Sequence, residues 1–472
     1  MADNYTDTSS SLSEYRIPIL NIKLSELFIG SRSIWAVMIL LMLTSLWVIF
    51  SASSTKAFEA LNQGSSFFLF FGKHMFFMLL ALCCCVFVSH IPTEKFMNKG
   101  NATKILLITI VLLISVFFIG RDVNDAKRAI SVFGISFQPS ELARLALINY
   151  VAALLHRPKG EHATVKTFNQ IAFATIIVCF IIFIENISTA VILFSVIYFM
   201  ALIGQANKKM MMRTTLLGAV GVVLVIGIIA MMPSPKEIEA GTAPHNAISK
   251  VLSKVGRSST GVMRIKRFVT QMNAPINEDT YFDVSNKDLQ VVSSQKAIAN
   301  GGLWGVGFGK SQLRNFLPEA YSDFAFSIIL EEGGLIGAVG VIGLYLALFF
   351  FIGGIARQSR GTYRSLLTMG IGLIITLQAM IHIMICVNLF PITGQNLPFV
   401  SRGGSSYIVT AIYFGILLSA SNEGKLIRQR EIANASGIEG MPIVEANKVP
   451  GMDEEEVEED YFETEEDDYG EE

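Results

Sequence analysis

Asp323, Glu331 and Glu332 stand in FLPEAYSDFAFSIILEEGGLIG, residues 316–337, where a polar loop runs into a long apolar stretch. Carboxylates inside a membrane helix are costly and rare, so three at the head of one mark a place where chemistry is expected. Asp323 has two readings that one residue can combine. It can cap the helix that follows, satisfying free backbone N–H groups. It can also act as a general base on a substrate at the bilayer surface. A second constellation lies in FQPSELARL, residues 137–145. Glu141 and Arg144 are three apart, share a helical face and can pair. Opposite charges inside a span face the bundle interior or a watery cavity, so a structural ion pair and a substrate-facing pair both fit. The third is GQNLPFVSRGGSSY, residues 394–407. Gly403, Gly404, Ser405 and Ser406 open an apolar run, and a helix start of this kind offers N–H groups to an anion. Arg402 adds positive charge, which suits a phosphate or pyrophosphate; a tight turn with a capped helix is the plain alternative. Arg264, Lys266 and Arg267 in MRIKRF, residues 263–268, form a basic cluster suited to lipid phosphate.

Other chemistries are excluded. Gly309-Lys310-Ser311 resembles the end of a P-loop, but Trp304 stands where the first glycine would have to be. Cys83, Cys84, Cys85, Cys179 and Cys386 all fall in apolar runs with no CxxC spacing, and the six histidines form no HExxH. No metal ligands and no cofactor are expected, and nothing points to nucleic acid. His382 sits in mid-span and reads as a satisfied interior histidine.

The elements that position these residues are membrane helices. The chain of 472 residues is 52% hydrophobic and 16% charged, against roughly 25% charged in soluble domains. The apolar residues fall in runs long enough to cross about 30 Å of hydrocarbon. We expect an all-α polytopic membrane protein with about ten transmembrane helices, near 34–53, 67–90, 103–120, 140–156, 168–185, 187–205, 214–232, 323–352, 365–389 and 404–420. The first run is too long for a signal-peptide core and reads as a retained span. Residues 1–33 form a polar N-terminal segment, and 34–420 the membrane domain. A large extracytoplasmic loop at 233–322 separates helices 7 and 8.

Charge sets the expected sidedness. Alternate short loops carry Lys95, Lys99 and Lys104, then Arg157, Lys159 and Lys166, then Lys208, Lys209 and Arg213, then Arg357, Arg360 and Arg364. The opposite loops are poorer in basic residues. The positive-inside rule therefore puts both termini in the cytoplasm, with Asp323 and Arg402 on the outer face. Residues 453–472 hold 14 of the 39 acidic residues, leaving 37 basic against 25 acidic elsewhere. The segment 421–472 is expected to be a disordered acidic tail in the cytoplasm.

Taken together, these motifs resemble the SEDS family (shape, elongation, division and sporulation) from about residue 34 to 420. FQPSELAR resembles the family's QPSE-x-x-K, with Arg144 in place of lysine. LPEAYSDFAFSIILEEGGLIG is similar to LPE-x-x-TDF…EELG, with Ser322 in place of threonine. LPFVSRGGSS is similar to LPF-[VI]-S-x-GGSS. Departures are Ala129 for a tryptophan, Asn186 for the aspartate of PDLGT, and Thr393 where division-type members carry lysine. The resemblance implies a glycosyltransferase that polymerises lipid II outside the bacterial inner membrane, with Asp323 as the essential aspartate. It also implies a class B penicillin-binding protein as partner, together with divisome proteins. The hydrophilic tail and the SRGG variant favour a division-type member over an elongation-type one. Arg402, residues 403–406 and the basic residues of the outer loop are candidates to stabilise pyrophosphate, a load that a divalent cation could share. Two other classes stay open: a lipid flippase, with Glu141, Arg144, Asn186, Glu331 and Glu332 lining a polar path, and a scaffold for a transpeptidase.

Overall fold

The structure, a computed structural model, describes residues 16–17, 22–23, 27–63, 67–123, 126–132, 135–156, 164–204, 212, 215, 268, 289–312, 320–359 and 362–435. Residues Met1–Asn422 form one compact unit and Glu423–Glu472 a second. Nine of the ten expected spans appear as helices among the described residues; the seventh, near 214–232, lies outside them except for residue 215. They are α1 (Arg32–Gln63), α2 (Phe67–Ser89), α4 (Lys99–Ile119), α5 (Pro139–Leu155), α6 (Val165–Glu185) and α7 (Ile187–Ile203), then α10 (Ala325–Gln358), α11 (Thr362–Cys386) and α12 (Gly404–Ala435). The four-residue α3 (Glu94–Met97) precedes α4. Seven of these helices are long and apolar enough to cross a membrane. The remaining two, α5 and α7, have 17 residues each, about 26 Å at 1.5 Å per residue. The last helix runs on to Ala435, past the span end expected at 420.

The helix ends follow local chemistry. Asn98 accepts from the Gly100 N–H at the start of α4, and Asn186 accepts from Ser188 and Thr189 at the start of α7. Each side chain satisfies donors that a helix start leaves free. Strand pieces accompany the helices: β1 (Arg16–Ile17) pairs with β2 (Ile22–Lys23). Between α4 and α5, β3 (Arg121–Val123), β4 (Ala126–Val132) and β5 (Ile135–Phe137) form an antiparallel sheet in the order β3-β4-β5. Purely helical reading missed this sheet, whose strands are only three, seven and three residues long. It delivers the chain to Gln138, the N-cap of α5, with Pro139 in the first turn, where its missing N–H costs nothing.

Helix α10 is the axis of the site. Its 34 residues would reach about 51 Å, well beyond the hydrocarbon thickness. It breaks at Gly334, whose φ of 62° and ψ of −162° interrupt the helix. From Ala325 to Glu332 every residue is buried, whereas Leu335, Ile336 and Val339 are exposed. The break thus divides a segment buried on all sides from one that has a buried and an exposed face. The embedded segment is covered by α8 (Leu289–Gly301), which leads into the glycine-rich stretch 302–312. Ser294 of α8 bonds to Ser327 at 2.6 Å and donates to the Cys386 carbonyl at 2.6 Å. Backbone N–H groups of Leu335 and Ile336 donate to the carbonyls of Gly302 and Leu303. A Cβ on Gly305 would strike the Glu332 carbonyl, and one on Gly334 would strike Gly305 and Leu303. These close backbone approaches, with positive φ at both positions, demand glycine.

Candidate functional site

Residues 393–403 cross the protein without regular structure, yet the carbonyls of 393 and 395–400 all find donors. Asn186 donates to Thr393 O at 3.2 Å, His382 Nδ1 to Gln395 O at 2.6 Å, and Gln378 to Asn396 O at 2.9 Å. The Val400 and Ser401 N–H groups turn back to Leu397 O. Tyr345 donates to Pro398 O at 2.5 Å, Tyr407 to Phe399 O at 2.6 Å and Ser45 to Val400 O at 2.9 Å. Irregular backbone buried inside a protein persists only when its polar groups are satisfied. Side chains from α1, α10, α11 and α12, with the cap of α7, do that here and make the loop rigid. Phe399, with φ of 58°, is held in the left-handed region by this set of contacts. Asn186 explains its own departure from the expected aspartate, since an amide can cap α7 and donate to Thr393 O together. A carboxylate has no proton for the second bond.

Asp323 lies beside this loop. It ends α9 (Ala320–Asp323), a four-residue turn, and Phe324 takes the N-cap position of α10 with no side-chain cap. The N-cap position that the capping reading gave to Asp323 is held by Phe324, one residue on. It is half-buried, and Ser322 Oγ lies 3.2 Å from its Oδ1. Arg402 is docked to the same turn. Its N–H donates to Tyr321 O at 2.9 Å, and its guanidinium carbon sits 5.2 Å above the Tyr321 ring. Ser401 Oγ donates to Ser322 O at 2.6 Å. The motifs that hold Asp323 and Arg402, 79 residues apart in sequence, are thus one structural unit.

Glu141 and Arg144 also meet this unit. They are buried, with Nη2 and Oε1 3.7 Å apart. Arg144 Nη1 donates to Gln378 Oε1 at 2.7 Å, and the Ser406 side chain lies beside the Glu141 carboxylate. Gly404 opens α12, Gly403 accepts from the Tyr407 N–H, and Ser405 is buried. Arg264 and Arg267 lie outside the described residues.

Glu331 and Glu332 have another task. Glu332 accepts from Trp47 Nε1 at 2.7 Å, from the Gly309 N–H at 3.0 Å, from the Ser311 N–H at 3.1 Å and from Ser51 Oγ. Glu331 accepts from Ser311 Oγ at 2.5 Å and from the Gln312 N–H at 3.1 Å. The Gly309-Lys310-Ser311 segment does cradle an anion with backbone N–H groups, as a phosphate loop does. The anion is the protein's own carboxylate pair.

Residues 31–426 match the FtsW/RodA/SpoVE family of cell cycle proteins. The chain belongs to this family. Relatives from Bacillus subtilis (strain 168) and Haemophilus influenzae, each named probable peptidoglycan glycosyltransferase FtsW, are both 29% identical to it. The matches cover 79% and 84% of this chain, and 86% and 91% of the relatives. The fold is similar to that of a chain in a peptidoglycan synthase complex coordinating polymerization and crosslinking. There the TM-score is 0.55 and identity 21%, over 80% of this chain and 97% of that one. It is also similar to the Thermus thermophilus rod shape determining protein RodA, with a TM-score of 0.53 and 18% identity, over 84% and 97% of the two chains.

In this FtsW/RodA/SpoVE chain, Asp323, Arg402, Glu141, Arg144 and Ser406 fall in one connected region. Sequence reasoning missed Gln378, Asn396 and Ser322, which join them. The only signal was polarity: Gln378 is an uncharged polar residue inside an apolar run. His382 is the satisfied interior histidine expected, with Nδ1 on Gln395 O and Nε2 facing the Phe326 N–H at 3.4 Å.

Proposed function

We propose that this chain is a peptidoglycan glycosyltransferase that polymerises lipid II at the outer face of the bacterial inner membrane, for septal synthesis in cell division. The observation that carries this reading is the docking of Arg402 on the turn that bears Asp323, beside a loop rigidified by its side-chain donors. The names of the FtsW relatives support it. Asp323 is the general base. It removes the proton of the acceptor hydroxyl as that oxygen bonds to the anomeric carbon of the donor sugar. The bond from that carbon to the pyrophosphate oxygen breaks, and its electrons leave with the polyprenyl pyrophosphate. Arg402 meets the charge that develops there, the kind of stabilisation that carries much of a transfer barrier. Arg264 and Arg267 are candidate further contacts to pyrophosphate. No resident cofactor is assigned, and a divalent ion on the pyrophosphate would arrive with the substrate.

Partners on this reading are a class B penicillin-binding protein and the divisome, with both termini in the cytoplasm. The flippase alternative loses two of its five path residues, because Glu331 and Glu332 are occupied by the 309–312 backbone and its neighbours. Purified protein, alone and with its transpeptidase partner, given fluorescent lipid II separates the classes. Long glycan is made only by a polymerase; transfer of lipid II across a vesicle membrane without glycan would replace this reading with a flippase.

Two further results are expected. Arg402→Ala lowers polymerisation on the order of tenfold, or 1.4 kcal/mol of transition-state free energy, with the fold intact. Arg402→Lys recovers only part of that rate, because lysine lacks the bidentate fork for phosphate oxygens. Wild-type rate and apparent affinity in Arg402→Ala would move the anion role to the 233–322 segment. Truncation after Met452 removes the acidic block and leaves purified activity near normal, with any defect confined to cells as lost recruitment. A large drop in the purified truncate would refute that assignment.

A further inference from the structure

The side chains that connect the three motifs suggest how the site is tuned. We propose that Ser322, Asn396 and Gln378 are positioning residues that orient the Asp323 carboxylate and tie it to the Glu141–Arg144 pair. The inference rests on Asp323 being the base.

Gln378 is fixed from both sides. A guanidinium only donates, so Gln378 Oε1 must accept from Arg144 Nη1 at 2.7 Å. Its Nε2 is then left to donate to the Asn396 carbonyl at 2.9 Å. Through Gln378, which is 234 residues from Arg144 along the chain, the buried Glu141–Arg144 pair sets the position of the Asn396 backbone. The opposite edge is held as firmly. The Leu397 N–H donates to Ser401 Oγ at 2.9 Å, and that hydroxyl donates to Ser322 O at 2.6 Å. The turn 320–323 and the loop 394–401 are therefore locked to one another through two routes.

Between them sits a single shared proton. Ser322 Oγ is 3.1 Å from Asn396 Oδ1 and 3.2 Å from Asp323 Oδ1. One hydroxyl proton cannot serve both acceptors. The ionised carboxylate takes it, because hydrogen bonds to a charged acceptor are about twice as strong as neutral ones. Asn396 then turns its NH2 group to Ser322 Oγ, so that donors run Asn396 to Ser322 to Asp323. Once Asp323 has taken the proton of the acceptor hydroxyl, the row reverses. The Asp323 O–H donates to Ser322, and Ser322 donates to Asn396 Oδ1. A primary amide serves both states by a half-turn about its Cβ–Cγ bond, since it presents a donor on one edge and an acceptor on the other. Leucine serves neither, and an aspartate at 396 would set a second negative charge beside the first.

The test is steady-state polymerisation of fluorescent lipid II by the full chain with its transpeptidase partner in proteoliposomes. Ser322→Ala and Asn396→Leu should each lower kcat on the order of tenfold, with KM within about twofold and melting temperature unchanged. The double variant should be no slower than the slower single, because both act through one proton. Ser322→Thr, which restores the hydroxyl, should recover most of the rate. Neither substitution should slow Asp323→Asn further. Normal kcat in Ser322→Ala and Asn396→Leu, with Asp323→Asn inactive, overturns the positioning role and leaves the base in place. Full activity in Asp323→Asn overturns the base itself. A raised KM at constant kcat, or a rate loss that follows melting temperature and is not recovered by Ser322→Thr, also overturns it.

Discussion

Asp323→Asn is expected to lower glycan polymerisation by about 10²–10⁴-fold, the range that general-base catalysis supplies, while the protein stays folded. The substitution is nearly isosteric, and its Oδ1 still accepts from Ser322 Oγ, so the local hydrogen bond at 3.2 Å survives. The α10 start is also unaffected, because Phe324 and not Asp323 holds its N-cap position. The change therefore removes basicity and little else. Asp323→Ala should be equally inactive, which separates loss of the base from loss of a contact. Glycan synthesis by Asp323→Asn within about tenfold of wild type would end the general-base assignment. Melting temperature, measured on the same sample, confirms that inactivity is not unfolding.

The positions of this site were legible from sequence where charge broke an apolar run. Asp323, Glu141, Arg144 and Arg402 each stood out in that way, and the helices came from hydrophobic runs of spanning length. The bend after Asp323 did not show, because periodicity reads 323–352 as one uninterrupted helix. Gly334 is a glycine among several in that run, and its backbone angles, with its close approach to Gly305 and Leu303, identify it as the break. Gln378 and Asn396 were hidden for a different reason. Their partners lie 234 and 74 residues away, so no local spacing can reveal them. Glu331 and Glu332 were conspicuous but misread. Adjacent carboxylates in a span look like a path for ions or substrate until the donors that fill them are known, and those donors are loop N–H groups together with Trp47, Ser51 and Ser311 side chains, most of them far away in sequence.

That occupied carboxylate pair carries the largest expected effect on stability. Glu332 gathers four donors from two parts of the chain: Trp47 and Ser51 from α1, and the Gly309 and Ser311 N–H groups from the glycine-rich loop. The side chain is 2% exposed, so water does not stand in for it. Glu332→Ala leaves these donors without an acceptor, and each buried unsatisfied donor costs about 1–3 kcal/mol. Partial entry of water into the space left behind lowers the sum, giving an expected loss of about 3–5 kcal/mol, similar to breaking a buried charged pair. Glu332→Gln should be nearly as harmful despite its size. Its amide NH2 would face N–H groups that need an acceptor, and one oxygen cannot replace two. Trp47→Phe removes a single donor and keeps the aromatic contact with Phe308, whose ring centroid lies 6.0 Å away, so it should cost far less. Thermal unfolding in detergent ranks the three variants. A melting temperature for Glu332→Ala equal to that of Trp47→Phe would show that the carboxylate does not hold the loop. If it does hold it, activity should fall with stability in this series, because the clamped loop keeps the break at Gly334 and with it the buried segment that leads to Asp323.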